Sequence, residues 1–198
     1  MGNMWDERYS QAEYFYGKNP NDFLRIASAL IPKGSDVLCL AEGEGRNAVF
    51  LAGLGFNVTA VDFSVVGKEK AISLATSQKV KIDYLIADLN EFIFPKKFAA
   101  VISIWCHLPK ELRQKVHAQT EKNLLPGGFF ILESYNPKQL EFKTGGPPTV
   151  ELLYTEDQIK SDFNSLDWLL AQNTERTIAE GSGHLGRSST LQMIGIKR

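Results

Sequence analysis

The chain has 198 residues, 43% hydrophobic and 23% charged, which suits one globular unit with a sizeable core. A formal net charge of -1 gives no global pull toward nucleic acid or acidic lipid, and no apolar run reaches the roughly 20 residues that span a bilayer. The start, MGNMWDERYS, lacks the basic and apolar regions of a signal peptide, and the only two cysteines, Cys39 and Cys106, lie in apolar runs as reduced core residues would. A cytoplasmic protein is expected.

The first segment is aromatic: Trp5, Tyr9, Tyr14, Phe15 and Tyr16 precede Gly17. Trp5 and Tyr9 stand one helical turn apart and would share a face. Asn19 and Pro20 have the character of an N-cap and a first helical position, and Phe23, Leu24, Ala27, Leu30 and Ile31 follow at helical spacing up to Pro32. Residues 37–41 then form a short apolar run, a glycine turn occupies 43–45, and a helix over 46–54 ends at Gly55. A second strand over 58–61 ends at Asp62, and Ser64 caps a helix to about residue 75. A third strand over 82–87 ends at Asp88. A fourth covers 98–105, Pro109 opens a helix to about residue 125, and a fifth strand covers 129–134.

Strands alternating with helices predict βαβ units and a parallel sheet, and their continuous apolar character predicts cover on both faces. Right-handed crossovers give a doubly wound layout. Residues 136–150, rich in glycine, proline and lysine, read as a loop, and Thr155 starts a helix to about residue 163. Two β-like runs, 168–178 and 189–197, flank a polar connection over 179–187. With no helix between them, they predict an antiparallel edge. The chain divides into an N-terminal helical cap (1–35), a cofactor-binding core (36–136) and a C-terminal helix with antiparallel strands (137–198), all in one domain.

The informative stretch is VLCLAEGEGRNAVFLAGLGFNVTAVDFS, residues 37–64. Ligands of doubly wound sheets bind at the carboxyl ends of the strands, where strand order reverses. Gly43 and Gly45 fall there, where a missing Cβ lets the backbone turn tightly and approach a ligand. Asp62 ends the second strand near the usual offset for a carboxylate that accepts from ribose hydroxyls. Gly43, Gly45 and Ala48 also satisfy the G-x-G-x-x-A form of a dinucleotide fingerprint. A nicotinamide-dependent oxidoreductase therefore stands as an alternative, disfavoured by the short chain and the antiparallel finish.

The chain resembles the class I S-adenosylmethionine-dependent methyltransferases, particularly the small tellurite-resistance and thiopurine-type branch. The resemblance rests on Trp5, Asp6, Arg8 and Tyr9, on GEGRNAVFLAGLGFNVTAVDFS, on IADLNEF at 86–92 and on KNLLPGGFFILES at 122–134. It implies a Rossmann-like α/β fold: a seven-stranded sheet, mostly parallel with an antiparallel last strand, and helices on both faces. It implies S-adenosylmethionine as cofactor, with Gly43 and Gly45 toward its methionine part, Asp62 on the ribose and Arg46 among the cofactor-binding residues. Phe63 would lie against the adenine, Asp88 would accept from the adenine amino group, and Leu89 would donate backbone. Ile104 and Trp105 would border the transferring methyl. The family's first-strand acidic residue is replaced by Cys39, and a glycine by Ala41; Glu42 is the candidate to supply the missing charge. These departures also admit a degenerate member that binds cofactor without turnover.

Methyl transfer from a sulfonium is an in-line displacement, so the protein mainly positions and desolvates. A base is needed only for a protonated acceptor. No Asn-Pro-Pro-Tyr or Asp-Pro-Pro-Tyr motif follows the fourth strand and no Pro-Cys pair occurs, which disfavours DNA methylation. His107, His117 and His184 are isolated, so no metal site is expected, and His117 reads as solvent-facing. A small-molecule acceptor follows, such as a chalcogen oxyanion, thiol or amine, in a monomer or weak homodimer. By the resemblance, His184 and Arg187 are the candidates on the acceptor side. Arginine offers a donor fork to an oxyanion, and histidine exchanges protons near neutral pH.

Overall fold

The computed structural model describes residues 2–198, with side chains from Met4 onward. In chain order the helices are α1 (Gly2–Tyr9), α2 (Asp22–Ala27, prolonged by a 3-10 turn over Ser28–Leu30), α3 (Arg46–Gly53), α4 (Val65–Ser77), α5 (Lys110–Asn123), α6 (Gln139–Phe142) and α7 (Glu156–Ser161). The strands are β1 (Asp36–Leu40), β2 (Asn57–Asp62), β3 (Asp83–Ile86), β4 (Phe98–Ile104), β5 (Leu124–Tyr135), β6 (Leu166–Glu180) and β7 (His184–Lys197). They form one sheet in the order β3-β2-β1-β4-β5-β7-β6. β1 to β5 pair in parallel, while β7 runs antiparallel to β5 and to β6. This is the mixed, doubly wound sheet that the sequence predicts.

Side chains alternate across each strand, so successive residues enter two different cores. Val37, Cys39, Val58, Ala60, Ala100, Ile102 and Ile131 face α2, α3 and α4 through Leu24, Ala48, Leu51 and Ala71. Leu38, Leu40, Val61, Val101, Phe130, Leu132 and Met193 face α5 through Val116, α7 through Ile159, and Phe163 just after α7. Both cysteines are free and buried. The register places Leu40 beside Val61, and Asp62 beside Ile86. The ends of β1, β2 and β3 therefore lie side by side. The order reverses between β1 and β4, and the crevice at that point is where a ligand fits.

Three expectations are corrected. The cap of α2 is Asn21, whose side chain accepts from Leu24 N–H at 2.9 Å, so neither Asn19 nor Pro20 opens the helix. Asn21 wins because its amide group also meets Glu133 and Glu180, partners that lie far away in sequence. The loop at 136–150 contains the short helix α6. The connection expected over 179–187 shrinks to residues 181–183, because β6 and β7 pair continuously from Leu166↔Lys197 to Glu180↔His184 apart from one irregularity at Trp168/Leu170.

Candidate cofactor and acceptor site

The loop after β1 is held by its neighbours. Glu42 N–H donates to Val61 C=O (3.2 Å), Gly43 N–H to an Asp62 carboxylate oxygen (3.0 Å), and Tyr84 Oη to Gly43 C=O (2.6 Å). Gly43 has φ 58, and a Cβ there would meet Tyr9 Oη at 2.6 Å. Gly45 has φ 86 and caps α3; a Cβ there would collide with Ala71 Cβ at 2.4 Å, so it is required where α3 and α4 cross. Ala41 has φ 49, a left-handed conformation that an alanine tolerates only at a cost.

Gly45 has no side chain to cap the first turn of α3, and Glu42 does so instead, accepting from Ala48 N–H at 2.7 Å. Burial nevertheless pushes the Glu42 carboxyl up to about 7, against the pull of Ala48 N–H and Arg46. A carboxylate in that condition fits a cationic ligand group. Cys39, at the position of the missing family acid, is fully buried in the core.

Asp62 ends β2 beside this loop. One oxygen accepts from Gly43 N–H and the other from Ser64 N–H at 2.9 Å, leaving lone pairs for two hydroxyls. Burial raises its pKa against these backbone donors. Phe63 is half-buried next to it. Asp88 closes the turn after β3 by accepting from Asn90 N–H at 2.8 Å, and it is exposed; Leu89 is buried behind it. Four adjacent strand ends thus present Gly43, Asp62, Asp88 and Ile104–Trp105 in one line.

The N-terminal segment roofs this line. Trp5 and Tyr9 do share a face of α1, with ring centroids 5.6 Å apart. Asp6 accepts from Ser64 Oγ at 2.5 Å, fastening α1 over the start of α4. Lys70 of α4 donates to the carbonyls of Tyr9 (3.1 Å), Gln11 (2.9 Å) and Glu13 (2.7 Å) and pairs with Glu44 at 2.5 Å. Further on, Phe15 C=O accepts from Ser182 N–H at 2.9 Å, tying the segment to the β6–β7 turn.

Beside β1, the end of β4 carries Trp105 at φ 57, an unusual conformation for so large a residue. Its N–H donates to Glu133 C=O (2.9 Å), its indole Nε1 to Glu180 (2.7 Å), and its ring stacks on Tyr135 at 4.5 Å. Glu180 also accepts from Arg46 (2.6 Å) and Asn21 (2.9 Å). Burial pushes the Glu180 carboxyl up, but His184, Arg46 and Trp105 outweigh it and hold it at about 2. Glu133, fully buried, takes Arg176 through both its oxygens (3.0 and 2.9 Å), along with Asn21 and Gln192. The sequence reading missed Glu133, Glu180, Asn21, Arg176 and Tyr135. One signal was available: a glutamate inside the apolar strand FFILESY needs a buried partner.

His184 is where the acceptor side was expected. It is buried among Tyr16 (centroids 4.6 Å), Trp105 (4.8 Å) and Tyr135 (5.3 Å), and burial lowers its pKa. Arg187 does not join it. Three residues on along a strand, it projects from the opposite face, 69% exposed, and pairs with Glu175 at 2.7 Å. Arg46, read from the sequence as a cofactor ligand, is bound by Glu180 and the Asn19 carbonyl. His107 tethers the end of β4 to Leu152 C=O at 2.7 Å, and burial lowers its pKa to about 4. His117 is not solvent-facing: it is buried on α5 against Asp162 at 2.8 Å, which Arg113 also holds at 2.7 Å.

Residues 37–128 match the family model described as a methyltransferase domain. The chain is 27% identical over 110 residues to a "Ubiquinone biosynthesis O-methyltransferase" of Rickettsia bellii, an alignment covering 56% of this chain and 46% of that protein. It thus spans less than half the length of this relative. By fold it is similar to TehB from Haemophilus influenzae (TM-score 0.74, 15% identity, 100% of this chain and 67% of that one). It is also similar to the N-methyltransferase NodS from Bradyrhizobium japonicum in complex with S-adenosyl-l-homocysteine (TM-score 0.75, 12% identity, 99% and 97%). The sheet order is similar to that of these solved structures, and residues 37–128 carry the match to the methyltransferase domain. The matched residues include Gly43, Asp62, Asp88 and Trp105, the line of strand ends where this chain offers polar groups to a ligand.

Proposed function

We propose that the protein transfers the methyl group of S-adenosylmethionine to a small, uncharged acceptor bearing a hydroxyl or thiol. The observation that carries this reading is the contiguity of two sites. The loop, Asp62 and Asp88 form a cofactor-type line, and Trp105 connects it to an aromatic box of Tyr16, Tyr135 and His184. The similarity to the "Ubiquinone biosynthesis O-methyltransferase" of Rickettsia bellii supports an oxygen acceptor. A chalcogen oxyanion is less well served. Arg187 points away, and Arg46 and Arg176 are already paired with Glu180 and Glu133.

In this reading the cofactor supplies an activated methyl on a sulfonium. Asp62 would hold ribose hydroxyls, and Asp88 would receive the adenine amino group. Glu42 would face the cofactor's ammonium, and Trp105 would help to exclude water beside it. The roof of α1 and residues 14–17 excludes solvent, which strengthens every electrostatic contact beneath it. The test is thermal unfolding with S-adenosylhomocysteine and with NAD, followed by transfer of labelled methyl to phenol, thiol and amine panels. Stabilisation by S-adenosylhomocysteine alone and label on hydroxyl or thiol acceptors is expected. Stabilisation by NAD alone would overturn the methyltransferase reading in favour of an oxidoreductase.

A further inference from the structure

Glu180 touches both halves of the site. It grips Arg46 and the Trp105 indole at 2.6 and 2.7 Å, and its Oε2 stands 3.6 Å from His184 Nδ1. That nitrogen is buried and has no hydrogen-bond partner among the described residues. A buried imidazole nitrogen facing a carboxylate is best satisfied as an N–H that donates. In neutral histidine, one protonated nitrogen leaves the other bare. We infer that Glu180 is a positioning residue that holds His184 as the Nδ1–H tautomer, so that Nε2 takes the proton of a hydroxyl or thiol acceptor during methylation.

This inference rests on the proposed methyl transfer and names the proton's destination. The acceptor heteroatom forms its bond to the methyl carbon, and the methyl–sulfur bond breaks with its electron pair going to sulfur. The acceptor's O–H or S–H bond breaks, and that proton goes to His184 Nε2. The histidinium then faces the Glu180 carboxylate, which stabilises it until water removes the proton. The sulfonium donor begins with one positive charge and the histidinium ends with one, so charge balances. Burial keeps the resting imidazole below its usual pKa and hence neutral.

The groups facing His184 come from several elements. They are Glu180 from β6, Glu133 and Tyr135 from β5, Arg46 from α3, His107 after β4, and Tyr16 from the N-terminal segment. Among these Glu180 is the nearest carboxylate, at 3.6 Å. The other two histidines are engaged elsewhere, His107 with Leu152 and His117 with Asp162.

The experiment is nitrogen-15 NMR of the full chain, whose three histidines give few signals. Wild-type His184 should show protonated Nδ1 and bare Nε2. Glu180→Gln should lower the His184 titration midpoint by about one to three pH units, the span a close opposite charge commands. Arg187→Ala should leave it unchanged. An Nε2–H tautomer in the wild type, or an unmoved midpoint in Glu180→Gln, overturns the inference. If Glu180→Gln does not fold, the wild-type tautomer decides alone. Calorimetry with S-adenosylhomocysteine separates the two readings. Failure to bind it overturns the methyltransferase proposal, whatever tautomer His184 shows.

Discussion

Replacing Glu42 with glutamine isolates the charge beneath the cofactor loop. In the free protein burial holds this carboxyl at about 7 instead of 4.5. At 1.36 kcal/mol per pH unit the gap corresponds to a ceiling of roughly 3 kcal/mol. Partial solvent contact and the weaker cap that glutamine gives Ala48 N–H bring the net down to about 1–2 kcal/mol. The sign follows from proton binding: the folded protein keeps a proton that the unfolded chain releases once pH exceeds 4.5. The stability contributed by this proton is complete below 4.5 and is lost as pH rises through about 7. Glu42→Gln should therefore gain on wild type between pH 5 and pH 8 in urea unfolding, by about 1–2 kcal/mol. A ligand ammonium reverses the preference by favouring the ionised carboxylate. Wild-type affinity for S-adenosylhomocysteine should rise about tenfold from pH 6 to pH 8, with proton release in calorimetry, and Glu42→Gln should lose that slope. A mutant whose binding keeps the wild-type pH dependence would refute this account.

Ala41→Gly should stabilise the protein by about 1 kcal/mol in urea unfolding, since φ 49 costs alanine more than glycine's extra freedom costs the folded state; an unchanged midpoint would count against strain. Asp62→Ala should stay folded yet lose most of the stabilisation by S-adenosylhomocysteine, about 2.7 kcal/mol at one hundred times Kd in wild type, and a full thermal shift in the mutant would remove Asp62 from the ribose. Amide exchange over residues 5–17 should slow when S-adenosylhomocysteine binds, which distinguishes a closing roof from a permanently docked one. Asp162→Ala should cost about 3 kcal/mol, because it leaves Arg113 and His117 buried without their carboxylate; a loss below about 1 kcal/mol would show the pair to be dispensable.

From Val37 to Ser64 the sequence was transparent, because every signal there is local. An apolar run, two glycines, a helix, a second run and an aspartate succeed one another within thirty residues or so. The acceptor side depends on register instead. Glycines at 181, 183 and 186 carry no side chain, so the alternation of a strand was hidden, and 179–187 read as a loop in which His184 and Arg187 could converge. Once β7 begins at His184, odd spacing alone separates them. His117 sits on α5, a helix polar on most sides, so periodicity gave it no buried face. Its burial comes from Asp162, forty-five residues away. The network joining Asn21, Arg46, Glu133, Arg176 and Glu180 draws on four separate elements, and no short window contains it.

The bond from Ser182 N–H to Phe15 C=O joins positions that a ribosome makes far apart in time. At 5–20 residues per second the intervening chain takes roughly 10–30 s to emerge. During that interval residues 14–17 have no β6–β7 turn to rest on, and the aromatic box has no His184. The central strands can pair, but the chamber above them stays open to water. The roof over the loop and Asp62 therefore waits for the β6–β7 hairpin: until that turn exists, residues 14–17 lack the backbone bond that fastens them at their far end.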